Sequence, residues 1–225
     1  MKKAPVAPKL NARNRAMFAQ ETFSNAQETL LPFGKGEHKF IVSRGQFALI
    51  DVCLVLLDQI GPANVSLWTW SIADYEIKMV ERLILDGRIL SAELYCDYGS
   101  VTKHHATVQA WTERFGHGSV KFVINHAKMV RIWNADWKLL VRGSCNLNYN
   151  PRFEQMDIDD HSPAFDLIEQ IEAQTPRCDG TSGRDCYAAS KLGRAYEGEN
   201  KGKLFGKLRL WDMGIEHKQL KTWKP

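Results

Sequence analysis

The sequence predicts an α/β protein in which helices flank a mixed, largely parallel sheet. Short apolar or alternating runs typical of strands recur along residues 39–175, and stretches with helical spacing separate most of them. Two further strand-like runs, 127–133 and 138–142, are joined by only a few residues. Alternating strands and helices favour a parallel sheet, whereas a short connection requires an antiparallel pair. The sheet is therefore expected to be mixed.

The elements of the first half follow from apolar periodicity and turn residues. The N-terminal residues mix Pro, Lys, Asn and Gly and are expected to form an arm with one short helical stretch near residues 13–28. The predicted strands are KFIVS at 39–43, NVSLWTWSI at 64–72, and 91–96. The predicted helices are 46–60, which ends at Gly61-Pro62, then 73–85 and 102–115.

The second half begins with the strand SVKFVI at 119–124 and continues with the adjacent pair, which bends at Asn134-Ala135-Asp136. A last strand is predicted over 153–158. Ser162-Pro163 then starts a helix that ends near Gln174, since serine is a favoured N-cap and proline suits the first turn. This organisation predicts three regions: a basic N-terminal arm at 1–38, an α/β domain at 39–175, and a linker with a basic C-terminal extension at 176–225.

Composition limits the classes of protein that need consideration. The chain is 44% hydrophobic and 25% charged with net charge +4, which is ordinary for a soluble globular protein. Its ends are basic: residues 1–20 carry five Lys/Arg and no acid, and residues 201–225 carry seven Lys/Arg against two acids. Basic ends suit a polyanion such as nucleic acid, although they are also typical of solvated tails.

No targeting or membrane segment is expected. The N-terminus lacks the apolar run of a signal peptide, and the most apolar segment, 47–57, is too short for a membrane span and contains Asp51. A cytoplasmic protein, in a bacterial or phage-infected cell, is the resulting expectation. The five cysteines lack metal-ligand spacing, and an odd number cannot all pair; Cys53 and Cys145 are expected to be buried thiols.

The residues that carry chemistry lie between positions 126 and 154. His126 and Lys128 are two residues apart, so in a strand both would face the same side. An imidazole can attack phosphorus as a nucleophile, and a lysine beside it supplies fixed positive charge. Gly143 permits a tight backbone path, which leaves Ser144 and Asn146 as donors to phosphate oxygens.

This H-x-K … G-S-x-N order resembles the catalytic motif of the phospholipase D superfamily, whose members cleave phosphodiesters through a phosphohistidine. The resemblance implies a phospholipase D-like sandwich, no metal and no cofactor. It also implies a carboxylate downstream that orients the histidine. Glu154 is the first candidate and Asp157 the second, and in a strand the two would face opposite sides.

The chain departs from the family pattern in two respects. The family places an aspartate where this chain has Trp133; Asp136 lies three residues later, at the usual distance from Gly143. Either a longer hairpin strand gives Asp136 the turn role, or the aspartate is missing. Classical members also carry two motifs and this chain has one, which the small bacterial nucleases of the superfamily resolve by homodimerising around a two-fold axis.

Other residues have less specific interpretations. Trp68 and Trp70 are expected in the core, with base stacking as the alternative. The acidic residues Asp157, Asp159 and Asp160 are expected to be solvated. Three further tryptophans are candidates for the rim of a groove or for an interface: Trp111, Trp133 and Trp137. Walker loops, CxxC pairs and H-E-x-x-H motifs do not occur in the sequence.

The sequence thus predicts a metal-independent phosphodiesterase, specifically a DNA endonuclease that acts as a homodimer. The segment RGSCNLNYNPRFEQ also resembles chains of phage and prophage gene sets, which favours a nucleic-acid role. Two alternatives stay open. One is a non-catalytic DNA-binding or phage-assembly protein that retains the fold, and the other is a lipid phosphodiesterase or phosphatidyl transferase.

Overall fold

The computed structural model describes residues 17–22, 24–70, 72–97, 105–123, 125–149 and 151–175. These residues form one eight-stranded sheet with helices on both faces. The strands are β1 (Met17–Glu21), β2 (His38–Ser43), β3 (Ala63–Thr69), β4 (Ile89–Asp97), β5 (Val120–Val123), β6 (Met129–Trp133), β7 (Lys138–Gly143) and β8 (Glu154–Asp160). The helices are α1 (Ala26–Leu30), α2 (Leu49–Ile60), α3 (Asp74–Leu85), α4 (His105–Phe115) and α5 (Pro163–Gln174).

The sheet is mixed, as the sequence predicts, but it is not largely parallel, because four of its seven strand pairs are antiparallel. Its strand order is β1-β2-β8-β7-β6-β3-β4-β5. Strands β1 and β2 are parallel, as are β3, β4 and β5, whereas β6 and β8 each pair antiparallel with both of their neighbours. Six strands therefore run in one direction, and all six end at the same edge of the sheet. This edge is called the carboxyl edge below.

One face of the sheet carries the main hydrophobic core. Strand residues that alternate onto this face, such as Ile41, Leu67 and Val141, are fully buried with the apolar sides of α2, α3 and α4. Helix α2 ends at Gly61, whose φ of 79° is a left-handed conformation that glycine adopts without strain. Burial of this continuous apolar layer is the main stabilising contribution to the fold.

The opposite face is polar at its centre and is covered by α5. Glu172 of α5 accepts hydrogen bonds from Ser66 Oγ and from Trp68 Nε1 (2.8 Å), and it pairs with Arg131 Nη2 at 2.7 Å. Trp68 stacks on Tyr95 with ring centroids 4.4 Å apart. Ser162 accepts the backbone N–H of Phe165 and so caps α5, as predicted from Ser162-Pro163. Every charged group in this buried layer has a partner of opposite charge or a hydrogen bond.

The predicted strands and helices between residues 39 and 175 are confirmed with small shifts at their ends. The helical stretch expected near residues 13–28 is wrong over Met17–Glu21, which is the edge strand β1, parallel to β2. A short helix follows only at Ala26–Leu30, where Asn25 Oδ1 caps the N–H of Glu28. The sheet therefore includes a segment that the sequence assigned to the N-terminal arm. The predicted linker and extension at 176–225 lie outside the described residues.

The tryptophan predictions are only partly right. Trp68 is buried as expected, but Trp70 lies beyond the end of β3 and is 41% exposed. Trp111 belongs to α4 and is fully buried, Trp133 packs on Phe165 under α5, and Trp137 packs on Phe33. These three side chains contact core or helix residues, and Trp133 and Trp137 lie near the β6–β7 turn, at the edge of the sheet opposite the carboxyl edge.

The acidic residues of β8 are also not solvated as expected. Asp159 and Asp160 are buried, and Asp157 is largely buried. Asp157 Oδ1 lies 2.7 Å from His38 Nε2, Asp159 Oδ2 accepts from Arg142 Nη2 at 2.9 Å, and Asp160 accepts backbone N–H groups of residues 36 and 138. These carboxylates are structural partners. Within the described ranges, no group of three or more His, Cys, Asp or Glu is arranged to hold a metal ion.

The apolar helices are short and the described thiols are buried. Among the described residues, no helix is long and apolar enough to cross a membrane. The expected burial of Cys53 and Cys145 is confirmed, and Cys96 is buried as well.

Candidate active site

The predicted site residues converge on the carboxyl edge. Lys128 directly precedes β6, Ser144 directly follows β7, and Glu154 begins β8, so the three positions come from adjacent strands. The backbone N–H of Gly143 donates to the Lys128 carbonyl at 3.0 Å and holds the two sides of the hairpin together. Open α/β sheets bind ligands outside the carboxyl ends of their parallel strands.

His126 and Lys128 project together, as the sequence predicts. Lys128 Nζ lies 3.3 Å from His126 Nδ1, and it also donates to the His126 carbonyl at 2.9 Å. His126 is exposed, whereas Lys128 is half-buried. An exposed imidazole beside an ammonium group presents a nucleophile and a cation to the same point in solvent.

Asn125 fixes the backbone that presents His126. Its Oδ1 accepts the N–H of Ala127 at 2.7 Å, and its Nδ2 donates to the Thr69 carbonyl at 3.2 Å and to the Tyr95 carbonyl at 3.4 Å. Its own N–H donates to Asp97 Oδ2 at 2.9 Å. This buried amide ties the His126 loop to the ends of β3 and β4. Sequence reasoning missed Asn125, although its place directly before the H-x-K motif marks it as a local hydrogen-bonding residue.

Ser144 and Glu154 form a second pair at the same edge. Ser144 Oγ donates to Glu154 Oε2 and accepts the N–H of Gln155 at 3.0 Å. Glu154 was expected to orient His126, but the structure bonds it to Ser144 instead. The expectation that Glu154 and Asp157 face opposite sides is confirmed. Asp157 lies on the face covered by α5 and is bonded to His38, so it does not reach the carboxyl edge.

The Glu154 carboxylate of the Ser144–Glu154 pair acts electrostatically on Lys128 of the His126–Lys128 pair. Partial burial lowers the pKa of Lys128 from its ordinary value, and the Glu154 carboxylate opposes this shift by raising it. Burial raises the pKa of the Cys145 thiol to about 12, and the charge of Glu154 adds to the increase. The thiol inside the G-S-x-N loop therefore stays protonated and is not a nucleophile.

Gly143 is needed because β8 passes very close to it. A Cβ at this position would collide with the Gln155 carbonyl oxygen and would lie 2.9 Å from Met156 Cα. Both atoms belong to the backbone and cannot swing aside. The close approach brings Glu154 next to Ser144, so the glycine shapes the site without touching a ligand.

Asn146 lies in the loop that follows the Ser144 position. Its carbonyl accepts the N–H of Leu49 at 3.4 Å, at the start of α2. Its side-chain Oδ1 is buried and has no hydrogen-bond partner among the described residues. A buried amide with an unused acceptor is costly unless a ligand or water completes its hydrogen bonds.

Asp136 is far from the other predicted site residues. It lies in the turn between β6 and β7, at the end of the hairpin opposite Lys128. The hydrogen bonds that fix this turn are accepted by Asn134 Oδ1, from the N–H groups of Asp136 and Trp137 at 3.0 Å each. Asn134 Nδ2 also donates to the Ile60 carbonyl at 3.0 Å. The turn position predicted for Asp136 is confirmed, but Asn134 supplies the stabilising side chain.

Trp70 is a further residue at the site. Its ring centroid lies 5.9 Å from that of His126, with the ring planes tilted by 54°. Its exposed indole therefore borders the imidazole on the β3 side. The alternation in NVSLWTWSI obscured this position, because Trp68 and Trp70 share a strand parity although β3 ends at Thr69.

The structure thus brings together His126, Lys128, Gly143, Ser144 and Glu154 around the carboxyl edge, with Asn146 in the adjoining loop. Comparison with known proteins gives no family for the chain: no protein-family model matches it, and the search of curated proteins finds no match. The fold and the site define an α/β protein with an exposed imidazole, a cation and hydroxyl and carboxyl groups at one edge of a mixed sheet. Such a set can bind and attack an anionic ester.

Proposed function

We propose that this chain is a metal-independent phosphodiesterase of the phospholipase D superfamily, a DNA endonuclease that acts as a homodimer through a phosphohistidine intermediate. The observation that carries the proposal is the meeting of His126 and Lys128 with Ser144 and Glu154 at the carboxyl edge. These residues belong to the motif that resembles the superfamily, and the mixed eight-stranded sheet flanked by helices supports the same assignment.

In the proposed reaction an imidazole nitrogen of His126 attacks phosphorus. A nitrogen–phosphorus bond forms, and the bond from phosphorus to the leaving oxygen breaks. Water then attacks the phosphohistidine, which regenerates the imidazole and releases a phosphomonoester. Lys128 neutralises charge on the non-bridging oxygens as it develops. No metal ion or cofactor takes part in these steps.

Ser144 and Asn146 are the proposed neutral partners of the phosphate. Ser144 Oγ is exposed and now donates to Glu154, so a phosphate oxygen can replace the carboxylate as acceptor. Among the described residues, the buried side-chain oxygen of Asn146 has no hydrogen-bond partner, which supports a rearrangement of this amide when a ligand binds. The Glu154 carboxylate raises the pKa of Lys128, so it favours the charged form of the lysine before substrate arrives.

The homodimer supplies the group that protonates the leaving oxygen. The sequence has one H-x-K motif, so a second copy related by a two-fold axis would bring a second His126 to the same phosphate. His126 is exposed at the edge of the sheet, where a second copy can approach it. A DNA substrate is favoured by the basic ends of the chain, which suit a polyanion.

The test is a cleavage assay on DNA in EDTA that compares the wild-type chain with His126→Ala. Wild-type cleavage that persists in EDTA and is lost in the variant supports the proposal. A well-folded wild-type chain that binds DNA without cutting it would indicate a binding or assembly protein. Cleavage of phospholipid in place of DNA would indicate a lipid phosphodiesterase.

A mixed-subunit control tests the dimer in the same assay. Wild-type chains are unfolded and refolded with increasing amounts of His126→Ala chains. If each site needs two His126 side chains, the variant lowers activity more steeply than dilution by the same amount of buffer. Activity that falls only in proportion to dilution, from a strict monomer, would contradict the dimer.

A further inference from the structure

Exposed aromatic side chains are concentrated at the carboxyl edge. In the described part of the chain, five of the exposed large apolar side chains are aromatic, and four of these five border this edge. Their exposed fractions are 41% for Trp70, 60% for Tyr75, 60% for Tyr149 and 64% for Phe153. The exposed aliphatic residues lie elsewhere: Leu85 ends α3, Leu90 is near the start of β4, and Leu167 and Ile171 are on α5.

The two rings nearest the catalytic pair lie on opposite sides of it. Trp70 follows β3, and Phe153 directly precedes β8. The strand order places β7 and β6, with Ser144 and Lys128, between them. Three strand spacings of about 4.8 Å separate β8 from β3, so the chain positions that carry the two rings are about 14 Å apart across the edge. This distance matches about four stacked nucleotides at about 3.4 Å each, and fewer in an extended strand.

Positive charge accompanies these rings. The guanidinium of Arg44 lies 4.9 Å from the centroid of the Phe153 ring, and Arg152 is exposed beside it. Arg44 also pairs with Glu21 at 2.9 Å, but both groups are about half exposed, so solvent weakens this pair. Arg44 and Arg152 therefore lie beside Phe153, and Lys128 lies between Phe153 and Trp70 in the strand order. The edge therefore combines stacking surfaces with charge that suits a phosphate backbone.

We propose that this edge binds unpaired nucleotides, so that the preferred substrate is single-stranded nucleic acid. The inference rests on the proposed function and names the substrate form that the site accepts. In a duplex each base is already stacked on its neighbours, and its faces are closed to Trp70 and Phe153. In a single strand the base faces are open, and stacking on exposed aromatic rings beside a cationic track is the usual means of binding.

Trp70 and Phe153 have different roles in this arrangement. Trp70 contacts the imidazole of His126, so a base stacked on it sets the phosphate directly beside the nucleophile. Phe153 is on the far side of Ser144 and holds a base on the other side of the reacting phosphate. Two anchors on either side of His126 fix the register of the strand. Trp70 also positions His126, whereas Phe153 acts on binding alone.

The test measures binding without cleavage. Full-length His126→Asn protein is titrated at fixed ionic strength into a labelled DNA oligonucleotide of about 12 nucleotides, a length within the usual range of single-strand sites. The same oligonucleotide annealed to its complement serves as the duplex. We expect tighter binding of the single strand, and a loss of about 5-fold to 100-fold in that affinity when Phe153→Ala is added. Phe153→Trp should restore it.

The matched control is Phe18→Ala. Phe18 is an exposed phenylalanine (49%) near the amino end of β1, remote from the carboxyl edge, so its loss should not change affinity. The basic ends of the chain are present in every variant, and their contribution cancels. Equal affinity for both DNA forms, or an equal loss for Phe18→Ala and Phe153→Ala, would overturn the inference.

The outcomes separate this inference from the proposed function. If the wild-type chain does not cleave DNA but binds single strands through Phe153, the single-strand surface is supported and the phosphodiesterase function is contradicted. If cleavage is equal on both DNA forms and is unchanged in Phe153→Ala, the phosphodiesterase function is supported and the single-strand surface is contradicted. Binding to vesicles of anionic phospholipid that is lost in Phe153→Ala, with no binding of the oligonucleotide, would assign the rings to a lipid surface and overturn the proposal.

Discussion

Lys128 is the residue whose proposed catalytic role can be separated most clearly from a structural one. Its ammonium group contacts the His126 ring and carbonyl, and burial lowers its pKa from the ordinary value. A lysine with a lowered pKa in the folded state binds its proton less tightly there than in the unfolded state. Its protonated form therefore gives no stability to the fold below that pKa, and any cost diminishes as pH rises past it.

We therefore expect Lys128→Ala to lose activity without losing stability. Removal of a preorganised charge from a transition state typically lowers turnover by about 100-fold to 1000-fold. The melting temperature should stay at the wild-type value or rise slightly. Lys138→Ala is the control, because Lys138 is a half-exposed lysine at the other end of the hairpin, paired with Asp166. A large fall in melting temperature with residual activity intact would make Lys128 a structural residue.

The sequence predicts the positions of some site residues but not the hydrogen-bond partners of others. The positions of His126, Lys128 and Ser144 could be predicted because spacing along a strand dictates which side chains share an edge. The partners of Asn125 and Glu154 could not, because they depend on which strands are neighbours in space. Asn125 binds the ends of β3 and β4, about 30 or more residues away along the chain, and Glu154 meets Ser144 across β7 and β8.

At the scale of elements, the β6–β7 hairpin and β8 determine the shape of the site. The hairpin is held at its turn by Asn134 and at its open end by the bond from Gly143 to Lys128. Strand β8 then packs against Gly143 without room for a side chain. This contact sets the distance between Ser144 and Glu154.

Gly143→Ala is expected to destabilise the protein by about 1–3 kcal/mol, the usual cost of forcing an extra methyl into a packed region. The new Cβ would push against the backbone of Gln155 and Met156 and so separate Ser144 from Glu154. Denaturant unfolding measures the change. Gly118→Ala is the matched control, since nothing lies within 4 Å of a Cβ there. Equal stability for both variants would mean that β8 can move away, contrary to this description.

An element is predicted accurately when the residues that specify it lie in or next to that element in the sequence. The start of α5 could be predicted closely because the N-cap Ser162 and the first-turn Pro163 are adjacent in the sequence. Strand β1 was mistaken for helix because an edge strand is specified by pairing with β2, which the local sequence does not encode. The acids of β8 were expected in solvent because their partners, such as His38 and Arg142, come from neighbouring strands.

At the scale of the whole molecule, the mixed sheet gathers residues from distant parts of the chain at one edge. Six strands end there, and the loops after β2, β3 and β7 supply cations, rings and a hydroxyl to the same edge as His126. The fold class could be predicted from alternation alone. The strand order could not, because β8 lies between β2 and β7, although β2 is more than a hundred residues before it in the chain.

The proposed mechanism requires that His126 become covalently bonded to phosphorus during turnover. The most direct measurement is to quench the full-length protein in alkali during cleavage of a labelled oligonucleotide, and to look for label that stays with the denatured chain. We expect a covalent adduct that survives alkali, is lost in acid as phosphohistidine is, and maps to His126 by mass spectrometry. Cleavage by an active protein in which no adduct forms, or in which His126→Ala retains the adduct, would contradict the account.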